Sequence, residues 1–125
     1  MLNSENWNKL TLNEEKVIIN KGTEAPFIGE FTNNKAEGVY VCKQCELELF
    51  LSDSKFDSGC GWPSFDSEIS NSVSYNQDAD GFRTEIVCSN CKGHLGHVFN
   101  NEGFTTKNVR HCVNSISLKF IKASE

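Results

Sequence analysis

The sequence predicts a mainly β fold in one domain, residues 1–125. Three observations lead there: a single short stretch carries a helix signature, several β-favouring runs lie between Gly-, Asn- and Pro-marked loops, and the 125-residue length suits one core. The helix is read over residues 11–22, "TLNEEKVIINKG", where Thr11 and Glu14 match a capping box and Gly22 stands at the C′ position. A loop, "GTEAPFIGEFTNNKAEG", follows, and "GVYV" is the first strand, running into "CKQC". "FDSGCGWPSF" carries two glycines and a proline and is expected to be irregular. "NSVSY" and "GFRTEIVC" read as strands, the second alternating Phe82, Thr84, Ile86 and Cys88 with Arg83, Glu85 and Val87.

The last strand is read as one continuous run from Arg110 to Phe120. Alternation places Arg110, Cys112, Asn114, Ile116, Leu118 and Phe120 on one face, polar at its start and apolar at its end. Anchored by the apolar half, such a strand would present Cys112 at the rim of a sheet between Arg110 and Asn114. No internal repeat or low-complexity segment interrupts the chain.

Net charge is -5 and the isoelectric point about 5.2. That balance gives no basic field for nucleic acid or anionic lipid. No apolar run approaches the roughly 18 residues that cross a bilayer, and "MLNSENWNKL" lacks the basic and apolar regions of a secretory signal. The expectation is a cytoplasmic monomer with no nucleic-acid or membrane partner.

The six cysteines divide into four and two. Cys42 with Cys45, and Cys88 with Cys91, form two CxxC pairs, which in a reducing compartment suggest structural Zn²⁺ held by four thiolates. A redox CxxC belongs at a helix N-terminus within a βαβ pattern, which this sequence lacks. Cys112 shares its face with Arg110, whose guanidinium would favour the nucleophilic thiolate. The competing reading is a small buried side chain in a strand. Cys60 lies in "SGCGWPSF", where glycines permit close approach, and a nucleophile with a resolving partner is the arrangement for chemistry through sulfenic acid. Trp62 offers a flat apolar surface beside it, or a core-packing group. His94 and His97, in the turn after the second CxxC, are placed to act as acid and base near neutral pH. His111, facing away from Cys112, is expected to be structural.

At these residues the chain resembles the B-type peptide methionine sulfoxide reductases, which act on the R epimer. "KGTEAPF", "GVYVCKQC", "FDSGCGWPSF", "RTE", "CSNCKGHLGHVF" and "RHCVNSISLKF" occur in the family's order over roughly residues 7 to 121. The resemblance implies two antiparallel sheets with one or more short N-terminal helices, and reduction of methionine-R-sulfoxide in peptides and proteins. It implies Cys112 as nucleophile, Cys60 as resolving cysteine in a Cys60–Cys112 disulfide recycled by thioredoxin, and Trp62 against the substrate methyl. His94, His97, Arg110 and Asn114 would arrange the sulfoxide, and Cys42, Cys45, Cys88 and Cys91 would bind zinc. Two other classes compete: a zinc-ribbon-like binding module without catalysis, and a general thiol–disulfide oxidoreductase using a CxxC.

Overall fold

The computed structural model describes residues 1–78 and 81–123. After a 3-10 turn at Ser4–Asn6, helix α1 spans Leu12–Ile18. Thr11 caps it as expected: its hydroxyl accepts the Glu14 N–H, and the Glu14 carboxylate accepts the Thr11 N–H at 2.8 Å. The helix ends four residues short of the expected boundary. Lys21, not Gly22, takes the left-handed conformation, and the Gly22 N–H closes back on Lys16 O at 2.8 Å. Val17 and Ile18 are the buried residues of α1, which packs against the segments Ser115–Ser117 and His94–Asn100.

Strands β1 (Gly38–Cys42), β2 (Glu48–Leu51) and β9 (Leu118–Lys122) form a three-stranded antiparallel sheet in the order β2-β1-β9. The larger sheet has the order β3-β4-β8-β7-β6-β5, with β3 Lys55–Phe56, β4 Ser64–Phe65, β5 Val73–Gln77, β6 Thr84–Cys88, β7 His94–Asn100 and β8 Val109–Val113. All their pairings are antiparallel. Phe65 of the larger sheet stacks on Phe50 (centroids 4.3 Å apart) and meets Tyr40 edge-on (5.1 Å), so the core lies between the two sheets. Burying three such rings completely is a dominant part of the hydrophobic driving force.

The continuous final strand is not what forms. The chain leaves the larger sheet after Val113, makes a 3-10 turn at Ser115–Ser117, and joins the smaller sheet as β9, where Leu118 lies opposite Cys42 and Phe120 opposite Tyr40. Polar side chains drive the break. Ser117 Oγ donates to His94 O at 3.0 Å, Ser115 Oγ accepts the Phe31 N–H at 2.8 Å, and the Ser117 N–H turns back to Asn114 O. Such side chains offer the backbone an alternative to the ladder. Ile116 therefore lies in the turn and does not anchor Cys112. The "HLGHVF" segment, expected as a turn, is strand β7. The ends of the Cys60 loop, expected to be irregular, form the two-residue strands β3 and β4. His111 does face away from Cys112: it is buried against Phe50 and sits 3.1 Å from both Phe65 O and Tyr75 Oη.

Candidate functional site

The four CxxC sulfurs all lie within 4.8 Å of one another, three of the cysteines being buried and Cys91 partly so. The pairs Cys42–Cys91 and Cys45–Cys88 stand 3.5 Å apart. Tetrahedral thiolates at about 2.3 Å from a zinc ion are themselves separated by about 3.8 Å, so this set fits such an ion. The two turns share one hydrogen-bond pattern. Cys42 N–H donates to Leu47 O and Glu46 N–H to Cys42 O; Cys88 N–H donates to Gly93 O and Lys92 N–H to Cys88 O, all at 2.9 Å. Each turn closes through a left-handed residue, Glu46 (φ 63°) or Lys92 (φ 66°). The first turn leaves β1 of the small sheet and the second leaves β6 of the large one, so a metal ion here would staple the sheets together.

The second cluster lies on the outer face of the large sheet. Register sets Ser64 beside Cys112 and Cys112 beside His97 on β4, β8 and β7, so these side chains share one face. His94 and His97 are three apart and would face oppositely on a regular strand. A bulge at Leu95, where Ile86 pairs with Gly96 but Val87 with His94, returns them to one face with rings 5.6 Å apart. Cys60 Sγ stands 3.9 Å from Cys112 Sγ. These two sulfurs, Trp62, His97, Phe99 and Arg110 line a cleft of about 140 Å³.

The two histidines differ. His97 lines the cleft, with its Nε2 2.5 Å from Asp78 Oδ2, an oxygen that also pairs with Arg83 at 3.4 Å. His94 lies behind it, outside the cleft lining. Its Nδ1 is 2.7 Å from Glu85, which is tethered to Lys21 at 3.3 Å, while its buried Nε2 has no hydrogen-bond partner among the described residues. Burial lowers the His94 pKa, outweighing Glu85, so this ring is neutral at pH 7.

The thiol pair shares a proton. Its hydrogen bond to Cys112 is the chief cause holding the Cys60 pKa at about 4, and the same bond, with burial, pushes the second proton up on Cys112. Arg110 acts on Cys112 in the opposite sense, through its charge and a hydrogen bond. Its Nε donates to Glu102 at 2.7 Å and its guanidinium lies 4.6 Å over the Phe99 ring. Burial opposes the charge on Arg110, but Glu102 and the two thiols raise its pKa.

Trp62 is held by its indole N–H, which donates to Glu24 O at 2.9 Å. Asn114 reaches the cleft, and its amide also binds the scaffold: Oδ1 accepts the Glu24 N–H at 3.0 Å and Nδ2 donates to Leu95 O at 3.1 Å. All the sequence-predicted catalytic and substrate residues thus gather around one cleft, with His94 behind its wall, and the four CxxC cysteines gather apart from it. Sequence reasoning missed Thr23, Asp78, Phe99 and Glu102 as members of this neighbourhood. Asp78 lies in a loop with no recognisable pattern, and only the fold brings it to His97.

Two sheets, a four-thiolate cluster and a cysteine pair beside a tryptophan and a histidine define a thiol-based redox fold. The SelR domain matches residues 10–122 of this chain. The chloroplastic peptide methionine sulfoxide reductase B3 of Oryza sativa subsp. japonica is 50% identical over 97% of this chain, which spans 54% of that protein's length. Peptide methionine sulfoxide reductase B3 of Arabidopsis thaliana is 48% identical over 96% of the chain, and 69% of its own length is covered. Rice B5 is 47% identical over 96% of the chain and 90% of its own length. The chain belongs to the SelR-domain family of B-type peptide methionine sulfoxide reductases.

Proposed function

We propose that this chain reduces methionine-R-sulfoxide in peptides and proteins to methionine, in the reducing environment of the cytoplasm. The carrying observation is the cleft in which Cys60 and Cys112 stand 3.9 Å apart with Trp62 and His97 in the same wall. The Cys112 thiolate attacks the sulfoxide sulfur. Bond formation there needs the oxygen protonated, and the proton comes from His97, since His97 lines the cleft beside Asp78 whereas His94 is neutral and buried. The hydroxyl then passes from the methionine sulfur to Cys112 Sγ: the substrate S–O bond breaks, methionine leaves with its sulfur reduced, and Cys112 is oxidised to sulfenic acid. Cys60 then attacks the Cys112 sulfur, water departs, and a Cys60–Cys112 disulfide forms. Thioredoxin returns both cysteines to thiols by exchange.

With the substrate methyl against Trp62 and the oxygen toward His97, only one configuration at sulfur points its carbon chain out of the cleft. That handedness admits one epimer, and the resemblance to the B-type family makes it the R form. Arg110 favours the attacking thiolate once substrate parts the two sulfurs. Cys42, Cys45, Cys88 and Cys91 would hold a structural zinc ion, and four protein ligands would leave no position for substrate.

The test is reduction of a peptide bearing methionine-R- or methionine-S-sulfoxide, with dithiothreitol, by wild type and Cys112→Ser. Turnover of the R peptide alone, lost in the variant, is the expected result. Failure of folded, metal-loaded wild type to reduce either epimer would leave the cleft as a binding site and end the enzyme reading.

A further inference from the structure

Among the described residues, most non-glycine positions with positive φ are asparagines, or the Lys and Glu of tight turns. Phe27 is the exception, an aromatic residue at φ 68°. A bulky side chain pays sterically for that conformation, and in a turn led by a proline, here Pro26, the position after it with φ > 0 ordinarily holds Gly or Asn. Burial does not offset the strain, because Phe27 is 67% exposed. An outlier without a packing reason points to function.

What the conformation achieves is local. The Phe27 N–H donates to Gly61 O at 2.7 Å. Pro26 and the Phe27 ring lie over Gly61 so closely that a Cβ there would meet Pro26 Cβ at 2.6 Å and the ring at 3.1 Å. Three residues earlier, Glu24 O accepts the Trp62 indole N–H. The segment therefore grips the two residues that follow Cys60. On the other side of Cys60, the Gly59 N–H is held by Asp57 Oδ1 at 3.0 Å, but at φ 72° nothing beyond its chain neighbours lies within 4 Å of the place a Cβ would occupy. Cys60 sits between a glycine packed under Pro26 and Phe27 and one with open space around it.

We infer that Phe27 is a positioning residue for disulfide formation: its left-handed backbone fixes the Gly61 end of the loop, so the movement of Cys60 is taken up on the unpacked Gly59 side. This rests on the reductase reading above. That chemistry makes opposite demands on Cys60. In the first step Cys112 takes the sulfoxide oxygen, is oxidised to sulfenic acid and gains a proton on that oxygen, while methionine sulfur is reduced; Cys60 must stand aside. In the second, the Cys60 sulfur bonds to the Cys112 sulfur, the S–O bond breaks, and the hydroxyl leaves as water with the Cys60 proton. Movement taken up on that side lets Cys60 retreat and return to the same place while Trp62 stays fixed.

The experiment compares metal-loaded wild type, Phe27→Val and Phe27→Gly in single turnovers of the R-sulfoxide peptide without reductant. It follows methionine formation, dimedone-trapped sulfenic acid and disulfide. Methionine forms in both variants within about twofold of wild type, but Phe27→Val, whose β-branched side chain resists positive φ, accumulates trappable sulfenic acid and closes its disulfide about tenfold more slowly, as displaced reacting groups do. Phe27→Gly, which accepts positive φ and keeps the N–H to Gly61, closes near the wild-type rate. Closure at the wild-type rate in Phe27→Val, equal slowing of both steps, or a Gly variant as slow as Val would each overturn the inference. Absence of methionine from wild type would instead overturn the reading on which it rests.

Discussion

At the scale of the residue, each histidine is defined by the carboxylate that holds it. Asp78 and Arg83 orient His97 into the cleft, whereas Glu85 and burial keep His94 neutral behind it. Substituting His97 by Asn should therefore lower turnover of the R peptide by about 10²–10⁴, the usual contribution of a general acid, and His94→Asn should cost markedly less. Equal losses in kcat for the two variants would contradict the division of labour. The thiol pair makes a prediction about stability. Between about pH 4, the depressed Cys60 value, and the ordinary thiol range, the folded pair holds one proton and the unfolded pair two. The unfolded state binds more protons, so this contribution to stability rises with pH across that window and is lost as pH falls toward 4. Above the ordinary thiol range the unfolded pair holds none and the sign reverses. Urea unfolding of wild type and Cys60→Ser at pH 5 and pH 8, metal-loaded and with reductant, should show wild type gaining on the variant at the higher pH.

At the scale of the element, the site depends on how closely β7 and β8 approach. A Cβ on Gly96 would fall 1.9 Å from Cys112 O, so this glycine is required by contact with the next strand rather than by a special φ. Gly96→Ala should force the strands apart, destabilise the protein by about 1–3 kcal/mol, and cut activity further by moving Cys112 away from His97; a shifted unfolding midpoint together with reduced kcat is the readout. The same elements mark where sequence reading worked. The capping box of α1, the strand into Cys42 and the strand through Cys88 follow local rules, and those rules are legible. Alternation from Arg110 correctly put Cys112 and Arg110 on one face, because both lie in β8. It failed beyond Val113, where Asn114 bonds to Glu24 and Leu95, Ser115 to Phe31 and Ser117 to His94, partners that only the tertiary fold supplies. The shared face of His94 and His97 was likewise invisible, since it depends on a bulge that reverses the period at Leu95. Asp78 and Glu102 were missed because their partners, His97 and Arg110, are placed by strand pairing.

At the scale of the whole molecule, the two sheets share a core but are also joined at the four cysteines. Cys42 and Cys45 belong to the turn after β1, and Cys88 and Cys91 to the turn between β6 and β7. A metal ion held there would tie the small sheet to the strand pair that carries both histidines, and His94 follows Cys91 by three residues. Four thiolates brought within 4.8 Å repel one another without a cation, so the empty cluster must keep protons or open. In a chain of 125 residues the core is modest, and binding free energy at such a site is folding free energy. Removing the metal with a strong chelator should therefore lower the thermal midpoint by many degrees. It should also abolish sulfoxide reduction, although no ligand cysteine lines the cleft. Zinc returned in one equivalent should restore both together. If instead the metal-free protein keeps its midpoint and its kcat, the four cysteines are dispensable to the fold, and the stapling role fails while the chemistry at Cys112 stands.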